Sequence, residues 1–428
     1  MKIKNTLFEK IFFFMLAFVC FGSVFSIKIF PKFVISYGIT ILCLIFYLHG
    51  KKLEVAKNYL GLGLLILLCS IVALLRSVNF FAGAYQYYLY FLTFAIVAIL
   101  IPLFPFEWEK TVYATLYVLI AVYAIGNLYF YFSPSAYTQY AAKNYPQAFS
   151  ILMRNYGYGY MSGFFDHYST NGMMLATGVG LYFVYSLIEV DNEKKREIFF
   201  QRFMFIVTLI SLLLTAKRGP LLFAAVACVM VLIIKNGKHI GKSLGLLAIV
   251  IVILYFGYQY LIEYIPDLGN VFLRFENMTD ADGFSGRTRL WAKAFELFKT
   301  SPIFGIGWGN FKVMAGFEEG INAHNIYIQL LCETGIVGIS LFTAYFIGMF
   351  ALMLSVVEKV RSMGRKNGII QRRVYFSLFS QLFFLMYGMS GNTLYDTNML
   401  FLYSFSCWIA IYYANYFQSN MKIGDSEK

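Results

Sequence analysis

The chain has 428 residues, 60% of them hydrophobic and only 13% charged, with a mean hydropathy of +0.66. Soluble domains carry about 45–50% apolar and about 25% charged residues, and they expose only small apolar patches. The composition excludes a cytosolic enzyme, a secreted disulfide scaffold and a disordered chain, and the net charge of +13 has to be read through topology first. Long continuous apolar runs also argue against a β-barrel, whose strands alternate.

A bilayer core of about 30 Å takes about 20 mostly apolar residues per helix. Taken in chain order, the apolar runs predict about twelve spans: 11–27, 33–48, 59–75, 85–101, 112–132, 171–188, 203–216, 220–234, 243–260, 325–354, 374–390 and 396–417. The first lacks a small-residue cleavage site and runs straight into further apolar sequence, so it is not expected to be a cleaved signal peptide. The predicted fold is an all-α polytopic membrane protein. Helices one to five occupy 1–132, a long loop 133–170, helices six to nine 171–260, a second long loop 261–324, and helices ten to twelve with a tail 325–428. All six cysteines lie in apolar runs and behave there as small hydrophobes.

Of the 35 lysines and arginines, 22 fall on the side that carries the N-terminus. Short positive loops stay cytoplasmic, so both termini are expected inside and both long loops outside. The clusters Lys194-Lys195-Arg196 and Arg365-Lys366 through Arg373 then read as topology determinants.

Three places on the outer side carry unusual polar residues. The first is the tight turn Thr215-Ala216-Lys217-Arg218-Gly219-Pro220. Its two cations either snorkel into headgroups or hold an anion at the N-terminus of the helix that Pro220 helps to start. The second is Gly286-Arg287-Thr288-Arg289-Leu290-Trp291, which opens an amphipathic helix over about 286–300 with Leu290, Trp291, Ala294, Leu297 and Phe298 on one face. That helix is expected to lie along the membrane surface, with Ser285 as a cap and Pro302 just beyond its end. Arg287 and Arg289 oppose the helix dipole there, and an external anion would resolve the conflict.

The third is the glycine run Gly305-Ile306-Gly307-Trp308-Gly309-Asn310, followed by Ala323-His324-Asn325. No βαβ unit surrounds the glycines, so they read as a tight loop that lets backbone approach something closely. His324 sits at the lip of span ten, and Asn325, Gln329 and Glu333 form a polar stripe beneath it. An imidazole with its ordinary pKa near about 6.5 suits a general base, although a lone interfacial histidine is the plainer alternative. Lys217, Arg289, Asn325, Gln329 and Glu333 are expected to bind substrate. Few charges lie deep in the spans, Glu333 being the main one, which argues against an ion-coupled transporter. Asp280-Ala281-Asp282-Gly283 fails as a calcium loop because its twelfth position is Trp291, leaving those aspartates as a minor metal candidate. Tyr156, Tyr158 and Tyr160 read as interfacial belt residues.

The run GRTRLW, SPIFGIGWGNF and HNIYIQLLCETGIVG resembles the O-antigen ligase and polysaccharide polymerase superfamily of bacterial envelope glycan assembly. Lys217-Arg218-Gly219 resembles its Arg-Gly motif, and Gly163-Phe164-Phe165-Asp166 through Asn171 its motif at the end of the earlier loop. Where family members often carry Pro-Asn before the sixth span, this chain reads Asp166-His167-Tyr168-Ser169-Thr170-Asn171. The resemblance implies a GT-C-like fold and a metal-independent, inverting glycosyltransferase without a cofactor. Its donor would be an undecaprenyl-diphosphate-linked glycan, bound at the outer face of the bacterial plasma membrane. It puts Arg218 and Arg287 on the donor diphosphate and makes His324 the catalytic base. Membrane lipid and a chain-length regulator are the implied partners, and nucleic acid is not. A repeat-unit polymerase for O-antigen or capsule-like polysaccharide is the first expectation, ahead of a ligase acting on lipid A core or an oligosaccharyltransferase acting on protein. A lipid-glycan flippase or exporter is the reading from another class.

Overall fold

The computed structural model describes residues 57–78, 108–237, 286–317 and 321–426, together with eight positions between 10 and 22. Among the described residues every regular element is helical. In chain order they are α1 (Lys57–Leu75), α2 (Trp108–Phe132), α3 (Pro134–Asn144), α4 (Phe149–Gly157), α5 (Tyr168–Leu187), α6 (Lys195–Leu214) and α7 (Arg218–Asn236). After these come α8 (Arg287–Thr300), α9 (Asn310–Met314), α10 (Ile326–Arg361), α11 (Gly368–Tyr387) and α12 (Thr397–Ser426). The expected spans 33–48, 85–101 and 243–260, most of 11–27, and Ser285, Asp280 and Asp282 lie outside the described residues.

The other eight expected spans each fall on a helix. Four segments, Glu109–Phe132, Lys195–Leu214, Arg218–Asn236 and Ile326–Arg361, are long and apolar enough to cross a membrane. The protein is a helical membrane protein. Helix α6 starts at Lys195, eight residues before its apolar run, within a segment expected to be a cytoplasmic loop. Lys195, Arg196 and Glu197 are good helix formers, and Glu197 in the first turn suits the dipole, so the helix continues past its apolar part.

The chain divides into two compact units. The first gathers Met1–Thr115, Asp282–Lys359 and Phe384–Lys428, and the second Leu116–Ala281 and Val360–Phe383.

In the second unit α5 packs against both α6 and α7. Gly178 lets α5 approach α2 and α6, since a side chain there would strike Ile120 and Thr208, and Gly180 lets it approach α11, where a side chain would strike Phe379. Small residues let helices approach closely where no hydrophobic drive separates protein from lipid. Beneath the first long loop lies a buried polar knot. The Asn171 amide donates to Asn127 Oδ1 at 2.8 Å and to the Met161 carbonyl at 3.0 Å, and Asn127 donates to the Ser211 carbonyl at 3.0 Å. Gly163, at φ 56°, leaves room for both asparagines. The segment from Gly163 to Asn171 thus anchors the loop, and His167 caps α5 by accepting from the Ser169 N–H at 3.0 Å.

At the other end of this unit Arg372 forms a two-pronged ion pair with Glu193, at 2.8 and 2.7 Å. It also donates to the carbonyls of Ile188 (2.9 Å) and Tyr185 (2.8 Å), and Gln201 donates to Glu193 at 2.6 Å. Both charged side chains are buried. Arg372 therefore spends its charge on an internal lock, beyond any part it plays in topology.

In the first unit α10 is broken. Gly335 has φ 68° and ψ −169°, which only glycine adopts readily, so the expected single span is two helical pieces. The break frees backbone groups, and the glycine loop satisfies them. Ile306 and Gly307 N–H donate to the carbonyls of Cys332 and Glu333, each at 3.0 Å. In return Ile336 and Val337 N–H donate to the carbonyls of Pro302 (2.9 Å) and Ile303 (3.2 Å). The C-terminal end of α1 clamps the loop from another side. Trp308 N–H donates to the Ala73 carbonyl at 2.8 Å, Arg76 Nε donates to the Gly305 carbonyl at 3.0 Å, and Asn310 donates to the Arg76 carbonyl at 3.1 Å.

Candidate active site

Helix α8 begins at Gly286, which takes the left-handed conformation with φ 74°, and no acidic residue stands in its first turn. Its apolar face packs on the protein. Leu290, Ala294 and Leu297 pack with Ile306, Phe311, Ala315, Ala323 and Cys332 in one buried cluster, with Trp291 against it. Trp291 then fixes the helix to the segment before α10, its indole N–H donating to the Ala323 carbonyl at 3.0 Å.

This docking brings three segments of the first unit together: the first turn of α8, residues 322–326, and residues 385–395. Arg287 lies one turn before Trp291 and is half-buried. Burial lowers the pKa of its guanidinium and the nearby Tyr387 hydroxyl opposes that shift, yet an arginine stays charged at any ordinary pH. Among the described residues Arg287 has no hydrogen-bond or carboxylate partner, unlike Arg372 and Arg76. Arg289 is exposed and rests over the Phe317 ring at 5.4 Å.

His324 adjoins the Ala323 that Trp291 holds. Its φ of 52° is left-handed, an uncommon state for a side-chain-bearing residue. Neighbouring hydrogen bonds enforce it. Ala323 N–H donates to Gln329 Oε1 at 3.0 Å, and Ile326 N–H donates to the Gly388 carbonyl at 2.9 Å. The His324 ring reaches Asn392, with Nδ1 and Nδ2 3.2 Å apart. Tyr327 donates to the Leu385 carbonyl at 2.7 Å, tying the same two segments.

The polar stripe beneath His324 is turned inward. Asn325 Oδ1 caps α10, accepting from Tyr327 and Ile328 N–H at 3.0 and 3.1 Å. Gln329 and Glu333 are fully buried. Gln329 donates to Asn322 at 3.0 Å and to Glu333 at 3.1 Å, and Glu333 accepts from the Tyr395 hydroxyl at 2.8 Å and from Phe311 N–H at 3.4 Å. Their polar atoms support the loop on either side of His324.

Arg218 and Lys217 belong to the second unit, at the start of α7, and both are half-buried. Ala216 precedes them with φ 53° and gives the turn its sharpness. The Lys217 ammonium lies 4.5 Å from the centre of the Tyr168 ring, which stacks with Tyr160 at 4.7 Å and with His167 at 4.5 Å. Burial first, and then the charge of Lys217, lower the pKa of His167, with Asp166 opposing. Tyr160 thus belongs to a packed aromatic ladder.

The segment 385–395 escaped the sequence reading, because Tyr387 and Asn392 sit at a span end with no motif around them. The signal there is the pair Gly388 and Gly391, followed by the polar Asn392-Thr393. Among the described residues no group of three metal-ligating side chains occurs.

The fold and this site define a polytopic helical membrane protein with arginines at the start of α8 and a strained histidine before α10. A family model described as O-antigen ligase matches residues 203–343, the stretch that holds Lys217, Arg218, Arg287, Arg289, His324, Asn325, Gln329 and Glu333. This bears out the resemblance to the O-antigen ligase and polysaccharide polymerase superfamily. The exopolysaccharide production protein ExoQ of Rhizobium meliloti (strain 1021) is 32% identical over 80 residues, covering 15% of this chain and 18% of the relative. The chain therefore matches less than a fifth of that relative's length.

Proposed function

We propose that the protein transfers glycan from an undecaprenyl-diphosphate carrier onto a carrier-linked acceptor, as a repeat-unit polymerase at the outer face of the plasma membrane. The observation that carries this reading is Arg287, a half-buried cation with no hydrogen-bond or carboxylate partner among the described residues, on a helix that Trp291 ties to the Ala323 preceding the strained His324. A lipid diphosphate presents its charge at the membrane interface, and guanidinium groups bind phosphate with two hydrogen bonds at once.

In the reaction the acceptor hydroxyl loses its proton to the His324 imidazole, and its oxygen bonds to the anomeric carbon. The bond from that carbon to the carrier phosphate breaks in the same displacement, which inverts the anomeric configuration. Charge builds on the departing diphosphate, and Arg287 stabilises it. Arg289 adds positive potential around the donor. Asn325, Gln329 and Glu333 act by holding the His324 loop. The diphosphate is a good leaving group, so the step needs neither a metal nor a covalent intermediate.

A ligase shares this donor half and differs in the acceptor. The matched family's description names a ligase, and the name of the ExoQ relative speaks of exopolysaccharide production and names no acceptor. A gel of surface and carrier-linked glycan from cells lacking the protein separates them. Collapse of surface glycan to single repeat units is the polymerase outcome. Long chains accumulating on the carrier overturn it in favour of a ligase. Restoration of normal glycan by a His324→Ala protein would reject the enzymatic reading altogether and favour an exporter.

A further inference from the structure

We propose that Asn392 is the positioning residue of His324: its side-chain oxygen accepts the Nδ1–H of the imidazole and leaves Nε2 as the acceptor nitrogen. This rests on the reading of His324 as the base. Two observations carry it. Asn392 Nδ2 lies 3.2 Å from His324 Nδ1, so the two side chains form a hydrogen-bonded pair whose polarity depends on the tautomer. The other amide atom, Asn392 Oδ1, is buried and meets no donor. A buried acceptor without a partner costs about 1–3 kcal/mol.

Turning the Asn392 amide over about its Cβ–Cγ bond exchanges two atoms of nearly equal size. It brings Oδ1 to Nδ1 and moves the amide NH2 group into the buried position that Oδ1 held. The chemistry favours the same exchange. With the amide N–H pointing at Nδ1, that nitrogen uses its lone pair internally and the proton resides on Nε2, which can then only donate. With Oδ1 at Nδ1, the proton resides on Nδ1 and Nε2 carries the lone pair that a base needs. When Nε2 takes the acceptor proton, the imidazolium keeps its Nδ1–H directed at an oxygen dipole, which stabilises the positive charge. A histidine's second nitrogen sets its tautomer in this way wherever imidazole works as a base or ligand.

The pair is also held in place on both sides. On one side Asn392 caps the short turn Thr393–Tyr395, whose Tyr395 N–H donates to its carbonyl at 2.9 Å, and Tyr395 in turn holds Glu333. On the other, Gln329 and Gly388 fix the left-handed backbone at His324. The same Glu333 and Gln329 therefore steady both members of the pair.

The test uses the full chain, labelled with ¹⁵N-histidine, in lipid nanodiscs. Two-bond proton–nitrogen spectra distinguish the tautomers of its four histidines, and the difference from His324→Gln identifies the signal. The neutral Nδ1–H form at His324 is expected, and the Nε2–H form would overturn the proposal. A second arm measures surface glycan in cells carrying variants at equal protein level. Asn392→Asp keeps an acceptor and removes the donor, so it should retain at least about tenfold more activity than Asn392→Leu. Equal loss in both, with the Nε2–H tautomer in the unmodified protein, would show that Asn392 donates. Full activity of Asn392→Leu beside an inactive His324→Gln would sink the positioning role and leave the base reading intact. An active His324→Gln would sink the base reading, while the tautomer still reports the pairing.

Discussion

Replacing Gly335 by alanine should unseat the glycine loop, and the structure sets the size of the effect. At φ 68° and ψ −169° a side chain costs about 1–3 kcal/mol in backbone strain. The added methyl would also meet the carbonyl of Ile303 and the N–H of Gly305, both backbone and unable to swing aside. The loop has to move, and the four backbone hydrogen bonds between it and the break are at risk, at about 0.5–1.5 kcal/mol each. Together these give about 3–9 kcal/mol as an upper range, comparable with the whole stability of an ordinary domain. Gly316 supplies the control. It too has positive φ, 73°, but an added methyl meets nothing within 4 Å, so Gly316→Ala should cost only about 1–2 kcal/mol. Thermal unfolding in detergent and maleimide labelling of the buried Cys332, read by peptide mass spectrometry, report on the two proteins. Gly335→Ala should unfold earlier and label faster. If the two variants unfold alike and Cys332 stays protected in both, the loop does not depend on the break.

Arg287→Lys should lower glycan assembly at least about tenfold at normal protein levels, because an ammonium cannot reproduce two parallel bonds to phosphate; surface glycan at unmodified levels would refute that role. Glu193→Ala should destabilise the protein by about 3–5 kcal/mol by stranding buried Arg372, whereas Glu193→Met with Arg372→Met should cost far less, and unfolding midpoints decide. Burial pushes the Glu193 carboxyl up, but its bonds to Arg372 and Gln201 and the arginine's charge outweigh that and hold its pKa below the ordinary value. Its contribution is therefore full at neutral pH and is lost only as pH falls through that lowered value, so unfolding midpoints of the unmodified protein and the double variant should converge in acid. His167 acts in the same direction at higher pH: its lowered pKa means that protonation opposes the fold, with stability falling as pH drops through the ordinary histidine range. Lys217→Met should raise its pKa, which a histidine NMR titration measures. Finally, His324→Gly should stabilise the chain by relieving the left-handed strain while abolishing glycan assembly, and loss of stability together with activity would contradict the strain argument.

The helices were legible because apolar runs of bilayer length dictate them. Eight expected spans coincide with helices, including 220–234 within Arg218–Asn236. The candidate cations and His324 were legible as chemistry out of place: arginines at a helix start, and a histidine above a polar stripe. The break at Gly335 was not legible, since it falls inside one run of bilayer length, 325–354, and a glycine inside a span usually marks close packing. The inward turn of α8 was hidden for a related reason. An amphipathic stripe states that a face is buried and leaves open whether lipid or protein buries it. Tyr387 and Asn392 were invisible because their role comes from meeting His324 and Arg287 across more than sixty residues of chain, a relation that no local pattern encodes.

The break explains the glycine run more fully than any ligand does. Non-helical backbone within a span is tolerated only where protein or a wet cavity satisfies it. Here the carbonyls released at Cys332 and Glu333 and the N–H groups of Ile336 and Val337 are all taken by residues 302–307. Gly305 is required because a side chain there would strike the Glu333 backbone, so the object that the glycine loop approaches closely is the helix itself. That closure seats Phe311 N–H against Glu333, and through Gln329 it fixes Ala323 and the strained His324. In the first unit Arg76 is answered by Ser301 and Gly305, and Asn310 by Val78 and Ile306. Arg287, by contrast, opposes its helix dipole with no hydrogen-bond or carboxylate partner among the described residues, and His324 in a segment packed near that helix holds a left-handed backbone. An unmatched cation is what a binding site for an outside anion requires, because groups already satisfied internally have nothing to offer a ligand.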